Sequence, residues 1–481
     1  MIRLDGVSYR YAFHETAAID HVSLEAGPGE IVLVTGASGC GKSTLIRLVN
    51  GLCPHFFNGT VTGTITVNGT KTVDSSIQKI AQDVGTVFQD PELQFFALQV
   101  EDELAFAHEW RGTPREEISD IIQESAAAMG ISEFLDASIH DLSEGQKQKL
   151  AIASALSLNP KVLVFDEPTA NLDPESTLEL AQQLIELQRQ GLAILVVDHR
   201  LYWLEDIATK VVVMEAGKIV QEGDFSILHD NSFCKHYGLR KSRVTDCRKQ
   251  LTSTPDNETL IVKDLVFNYK KSMWRGSSRK EKKVFSGVSF SFGPGITAII
   301  GDNGQGKTTL ARLLTGLLKM QHGSIELSGQ QITARDILNL SSIVLQNTDH
   351  QLHMNTVSKE LEMAAGYGLS GTVHEEMLKQ LLVEINLDHL ADRHPQSLSG
   401  GEKQRLVIAC GLAKKPKILI LDEPTSGLDG GNMQRIISII RRAADQGSII
   451  LLITHDLELL EQVAERALHL PIPPSGNEIS V

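Results

Sequence analysis

The chain has 481 residues, which at roughly 150 residues per domain allows about three domains. Its 45 basic residues against 60 acidic give a net charge of −15, which argues against wholesale binding to DNA or RNA, since that needs a basic face. Hydrophobic residues at 42% and charged residues at 22% fit an ordinary soluble globular protein with chain enough for more than one core.

The N-terminal run MIRLDGVSYRY lacks the basic end and apolar centre of a signal peptide. No apolar run approaches the ~18–20 residues of a membrane helix. The chain is therefore expected in the cytosol, or peripheral on the cytosolic side of a membrane. Five cysteines (Cys40, Cys53, Cys234, Cys247 and Cys410) form no CxxC pair and no zinc spacing. Their odd number and wide spacing read as free thiols in a reducing compartment.

The apolar run Ile31–Val34 leads into GASGCGKS (36–43), and a helical pattern, TLIRLVN, follows. This is a GxxxxGK[ST] phosphate loop in the context it requires. Gly36, Gly39 and Gly41 let the backbone close around phosphate oxygens and aim N–H groups inward. The helix start adds positive partial charge. Ser38, Cys40 and Thr44 complete the candidate nucleotide contacts; Lys42 should reach the β- and γ-phosphates and Ser43 should ligate Mg²⁺. Cys40 reads first as a small side chain filling the loop. If its thiol is accessible, a thiol reagent inactivates this half and ATP protects it.

Further on, Gln89 follows GTVF, and 101–128 looks helical. LSEGQKQKLAIASAL (142–156) opens an apolar-periodic helix. The strand-like run Val162–Phe165 ends in Asp166 and Glu167, and Leu192–Val197 ends near His199. The carboxyl end of a parallel strand is where α/β sheets place chemistry. Asp166 should hold Mg²⁺ through its water shell, and Glu167 is placed to polarise an attacking water. His199 can contact the γ-phosphate, and Gln89 can join Mg²⁺ and water to a mobile loop.

Each of these features returns. Asp166 and Asp422, Ser143 and Ser399, and His199 and His455 all lie 256 positions apart (422 − 166). GDNGQGKT (301–308) follows Ile296–Ile300 and precedes TLARLLT. Its Gly301, Asn303, Gly304, Gln305, Gly306, Lys307, Thr308 and Thr309 take the same nucleotide and metal roles. Gln346 follows SIVL, 357–385 looks helical, LSGGEKQRLVIACGL spans 398–412, and the run to Ser448–Ile453 leads to His455. Asp422 is the second metal aspartate and Glu423 the second candidate base. The spacing drifts only near the front, through the basic stretch at 272–283 and the extra residues at 52–63. The chain is a tandem duplication: one domain over 1–236, a polar linker over 237–259 whose cations read as a solvated face, and a second domain over 260–481. Each half reads as α/β with an inserted helical lobe.

Taken together these residues resemble the ATP-binding cassette (ABC) transporter ATPases, over nearly the whole chain and twice. The glycine loops look like Walker A, and VLVFDE and ILILDE like Walker B. LSEGQ (142–146) and LSGGE (398–402) look like the family signature, and the runs ending at Asp173 and Asp429 like D-loops. The resemblance implies two P-loop NTPase domains. Each would have a RecA-like core, an antiparallel β lobe and a helical signature subdomain. It implies that Tyr11 and Tyr269 stack on adenine. It also implies composite sites in an intramolecular head-to-tail pseudo-dimer. Lys42, Asp166, Glu167 and His199 would then share a site with Ser399, Gly401 and Glu402. Lys307, Asp422, Glu423 and His455 would share the other with Ser143, Gly145 and Gln146.

Glu144 stands where the signature usually has its first glycine. At ~8 Å and an effective dielectric constant of ~20, each unit of phosphate charge would repel it by about 2 kcal/mol. A helix terminus returns only ~0.3–1 kcal/mol, so Glu144 is expected to turn toward solvent. Glu402 in place of glutamine raises a milder form of the same conflict.

The segment VFQDPELQFFALQVEDELAFAHE (87–109) is similar to the Q-loop region of energy-coupling factor importer ATPases, and 344–361 keeps a weaker form. That resemblance implies an ATPase powering uptake of a vitamin, a vitamin precursor or a transition metal. It implies a transmembrane coupling subunit, a substrate-capture subunit, and peripheral attachment at the cytoplasmic side of the cell membrane. A thiamine-related precursor is the substrate it points to. Sugar-type tandem importer ATPases and soluble ribosome-associated tandem cassettes are the alternatives; DNA-repair cassettes would bring zinc cysteines or long coiled coils.

Overall fold

The structure, a computed structural model, describes residues 1–252, 259–269, 282–366 and 372–473. The chain divides into two compact units, Met1–Val244 with Gly427–Gly431, and Thr245–Ser426 with Asn432–Val481. Most of the basic stretch at 272–283 and part of the helical segment 357–385 lie outside the described residues.

In the first unit the apolar runs become a six-stranded sheet. Its order is Lys218–Gly223, Lys210–Glu215, Ile31–Gly36, Ala193–Val197, Val162–Asp166 and Val84–Val87. All neighbours are parallel except the first pair. Buried on both faces, such strands read as continuous apolar runs, not alternating ones. Ile31 and Leu33 pack into one core with Leu163, Phe165, Ile194 and Val196. Val32 and Val34 pack into the core on the other face, with Val162, Val164 and Leu195. A separate antiparallel sheet orders Ile19–Ala26, Ile2–Tyr11, Gly59–Val67 and Thr70–Lys71. It accounts for the alternating burial of Ile2, Leu4, Val7 and Tyr9.

The second unit repeats the plan. Its parallel sheet orders Ser341–Val344, Ile418–Asp422, Ile449–Ile453, Gly295–Ile300 and Arg466–His469. Its antiparallel sheet orders Lys282–Phe292, Leu260–Tyr269, His322–Leu327 and Gln330–Gln331.

The helical segment expected over 101–128 is two helices, Val100–Arg111 and Arg115–Ala128, separated at Gly112 and Pro114. The polar stretch after residue 236 differs from a solvated linker at its start. Arg240 and Ser242 are buried, and the Ser242 hydroxyl donates to the Leu228 carbonyl at 2.7 Å.

One buried acid ties each helical lobe to the loop after its glutamine. Glu103 accepts the N–H groups of Phe96 and Ala97 at 2.8 and 2.9 Å. Glu360 does the same for His353 and Met354. Removing such an acceptor leaves N–H groups to find water, at about 1–3 kcal/mol for a group left unsatisfied. Glu103→Ala is therefore expected to speed hydrogen exchange at the amides of residues 96 and 97 by tenfold or more (~1.4 kcal/mol) while strand Val162–Asp166 keeps its protection. Leu195→Ala, in the middle of the first parallel sheet, is expected to cost about 2–5 kcal/mol, read as a lowered melting transition.

Candidate nucleotide sites

Each phosphate loop joins a central parallel strand to a helix, Lys42–Val49 or Lys307–Leu314. The residues before these helices, Gly41 and Gly306, have φ of 108° and 99°. At Gly41 a Cβ would also stand 2.6 Å from the Ala18 carbonyl oxygen, so only glycine fits. The Lys42 ammonium donates to the carbonyls of Gly36 and Ala37 at 2.8 and 3.1 Å. Lys307 does so to Gly301 and Asp302 at 2.5 and 3.3 Å. Both cations are thus held inside the loop that would receive an anion.

Cys40 is buried against this lysine, with Lys42 Nζ 3.8 Å from its Sγ, and burial pushes the thiol up. Both effects slow thiol reagents, so the structure favours the space-filling reading of Cys40. Its counterpart Gln305 closes the second loop instead, donating to Asp302 at 2.7 Å and accepting the Asp302 N–H at 2.9 Å.

The strand-end acids lie beside the loops. Thr308 donates to Asp422 Oδ2 at 3.4 Å, which pairs a hydroxyl with a carboxylate. Burial raises Asp422 to about 6 against the opposing pull of Thr308, Lys307 and Arg312. Burial also raises Asp166, opposed by Lys42 and Arg47. The next residues, Glu167 and Glu423, have φ of 48° and 49°. A left-handed glutamate is uncommon, and its occurrence at both strand ends marks stored backbone strain. Burial pushes Glu167 up to about 8, with Asp198 and Asp166 adding to the effect and Lys42 opposing it. His199 Nε2 is 3.5 Å from Glu167 Oε1. Its burial, with Lys42 and Arg240 nearby, holds it well below the usual histidine range, so the ring is neutral. In the second unit Lys307 Nζ stands 3.3 Å from His455 Nε2. An ammonium only donates, so that nitrogen is the acceptor.

The tyrosines also sit in matching places. Tyr11 and Tyr269 end their strands with the phenol 3.1 Å from Thr44 Oγ1 and Thr309 Oγ1, one residue past the metal-ligand candidates. Gln89 and Gln346 lie in exposed turns just after their strands.

The signatures open the helices Glu144–Ser157 and Gly400–Ala413. Gln146 and Ser143 form a reciprocal cap: the Ser143 N–H donates to Gln146 Oε1 at 2.8 Å and the Gln146 N–H to Ser143 Oγ at 3.3 Å. Glu402 is explained the same way. Its carboxylate accepts the Ser399 N–H at 2.7 Å and the Ser399 hydroxyl at 2.8 Å. A Cβ on Gly145 would meet Ser176 Oγ at 2.7 Å, while Gly401 lies in the first turn of its helix.

Glu144 does not simply face solvent. It pairs along its own helix with Lys147 at 2.8 Å, and Lys147 reaches on to Glu92 at 2.5 Å. Lys147 thus neutralises the unusual acid and joins the signature helix to the turn beyond Gln89. Lys403 makes the matching pair with Asp349 at 2.7 Å. The lysine pairs and the buried acids Glu103 and Glu360 escaped sequence reasoning. Their recurrence at the repeat spacing was the signal available.

Comparison with known proteins agrees with this geometry. The ABC transporter family matches residues 19–170 and 285–426. A putative ABC transporter ATP-binding protein of Treponema denticola is 37% identical over 98% of this chain and 95% of its own length. The putative HMP/thiamine import ATP-binding protein YkoD of Bacillus subtilis is 34% identical over 98% of this chain and 90% of its own. Among solved structures, an archaeal ribosome recycling factor, aABCE1, aligns with TM-score 0.64 over 96% of this chain and 87% of its own, at 22% identity; that likeness concerns the fold alone. With two phosphate loops, two strand-end acid pairs and two signatures in matching folds, the chain belongs to the ABC transporter family, as a tandem two-cassette ATPase.

Proposed function

We propose that the chain is the ATP-hydrolysing subunit of an energy-coupling factor type importer, and that it works on the cytoplasmic side of the cell membrane through partner proteins. Among the described residues, no helix is long and apolar enough to cross a membrane. The likeness to a protein named for HMP/thiamine import supports uptake of a thiamine-related pyrimidine.

In this reading the loop N–H groups and Lys42 or Lys307 receive the β- and γ-phosphates, and Tyr11 or Tyr269 takes the adenine. Ser43 with Asp166, and Thr308 with Asp422, are hard oxygen donors suited to Mg²⁺; the 3.4 Å approach of Thr308 to Asp422 fits a shared ion. The ion would supply charge neutralisation at the phosphates. Glu423 accepts a proton from the attacking water, and Glu167 does so in its ionised form, which burial makes the minor one at neutral pH. His199 and His455 orient the γ-phosphate, and Gln89 and Gln346 carry the state of the site into their turns. The proposal includes the head-to-tail pairing that the resemblance implies, with each signature closing on the nucleotide of the other half.

The observation that carries the transport reading is an exposed apolar cluster beside Gln89. Leu93, Phe96, Leu98 and Trp110 are 70–82% exposed, and Phe96 stacks on Phe106 at 4.8 Å. Burying each such side chain against a partner is worth about 1.5–3 kcal/mol. This suits a groove for an apolar helix of the transmembrane coupling subunit, which in turn carries the substrate-capture subunit. The matching turn of the second half is more polar, with His350 and His353 exposed and Leu352 buried.

Isolation of the native complex in mild detergent is expected to recover an integral membrane partner and ATP-dependent uptake after reconstitution. Leu93→Asp with Phe96→Asp is expected to abolish that recovery while ATP hydrolysis by the isolated chain stays within about twofold, since surface changes usually cost little. Recovery with ribosomes and no membrane protein would overturn the proposal.

A further inference from the structure

The duplication supplies an internal control at the strand end that carries the histidine. The first half reads Val197, Asp198, His199, Arg200; the second reads Ile453, Thr454, His455, Asp456. With the histidines aligned, Asp198 stands where the second half has Thr454, and Arg200 where it has Asp456.

Both halves contain a buried threonine just past the strand-end glutamate, Thr169 or Thr425, whose hydroxyl donates to a buried aspartate. In the first half the acceptor is Asp198 at 2.7 Å; in the second it is Asp456 at 2.6 Å. The same task falls to the residue before the histidine in one half and to the residue after it in the other.

That exchange changes what holds each glutamate. In the second half the position before the histidine is left to Thr454. Its hydroxyl donates to Glu423 Oε2 at 2.9 Å, and the His455 N–H donates to Glu423 Oε1 at 2.8 Å. A donor on each oxygen fixes the rotation of the carboxylate. In the first half Asp198 is itself an acceptor, taken up by the Thr169 hydroxyl, the Arg200 N–H at 2.8 Å and the Trp203 indole N–H at 3.3 Å. It brings a second acid near Glu167 in place of a donor, and Glu167 meets the His199 ring at 3.5 Å. Arg200 meanwhile donates to the carbonyls of Thr169 and Leu172 at 2.7 and 3.2 Å, which ties down the loop that follows Glu167.

We propose that Thr454 and Asp198 make the two ATP sites unequal: Thr454 positions Glu423 on the attacking water, Asp198 denies Glu167 the same anchor, and the Glu423 half hydrolyses first and faster. The inference rests on the proposed reading of Glu167 and Glu423 as the bases. Thr454 and Asp198 are positioning residues, since each acts through the glutamate beside it.

The test is single-turnover hydrolysis by the full chain loaded with two Mg-ATP. The wild type should release ADP in two phases of similar amplitude whose rates differ by about tenfold or more, the scale of a small misplacement of a reacting group. Glu423→Gln should remove the fast phase and Glu167→Gln only the slow one. Thr454→Val should slow the fast phase with ATP affinity unchanged, and Thr454→Ser should restore it; a merely structural role would shift affinity and melting temperature together. Asp198→Thr should speed the slow phase. That variant also loses the acceptor of Thr169, so the Thr454 pair decides the matter if it fails to fold. One phase in the wild type, loss of the fast phase in Glu167→Gln, or a fast phase indifferent to Thr454→Val would each overturn the inference. If neither glutamine variant changes either phase, the reading of the glutamates as bases fails instead.

Discussion

In each half two parallel strands end in register. Asp166 lies opposite Val197, and Asp422 opposite Ile453. One residue further the chain leaves the sheet, and the Glu167 and Glu423 N–H groups donate to those same partners, the Val197 and Ile453 carbonyls, at 2.7 and 2.8 Å. The bond holds each glutamate in its left-handed conformation while the neighbouring strand delivers Asp198 and His199, or Thr454 and His455. The interior strands are packed on both faces by apolar side chains, so a slip of one residue would be resisted along their whole length. The site therefore inherits its geometry from the core.

The site is also local in its electrostatics. A chain of net charge −15 can offer places for two highly anionic nucleotides because the positive field is confined to two lysines, two helix starts and loop N–H groups. The acids beside those cations are buried, which is why Asp166, Asp422 and Glu167 are all displaced upward. Bringing Mg²⁺ and phosphate into such a place changes the balance of charge at once, and a loop held by few bonds can respond to that change. Glu103 and Lys147, which tie the turn beyond Gln89 to the helical lobe, lie where such a response would pass.

Much of this was legible in the sequence because it rests on backbone-driven motifs. The phosphate loops, the strand-end acids and the histidines follow fixed spacings along continuous apolar runs, and the repeat gave each an independent copy. Side-chain pairings across distant segments were not legible. Glu144 looked like a misplaced charge until Lys147 and Glu92 were beside it. Glu402 looked like a milder error, yet its carboxylate caps Ser399, a pattern that S-x-x-E already spells. The exchange between Asp198 and Asp456 was visible as letters, but its meaning needed the positions of Thr169 and Thr425. Arg240 sits in a run of cations whose hydration seemed plain, and it is buried.

Each half is expected to hold one nucleotide on its own Walker lysine. Calorimetric titration of Mg-ATP into a chain carrying both Glu167→Gln and Glu423→Gln tests it most directly, because hydrolysis no longer intervenes. Two nucleotides should bind per chain, with Lys42→Ala and Lys307→Ala each removing one. A stoichiometry of one, or binding that survives both lysine substitutions, would contradict it.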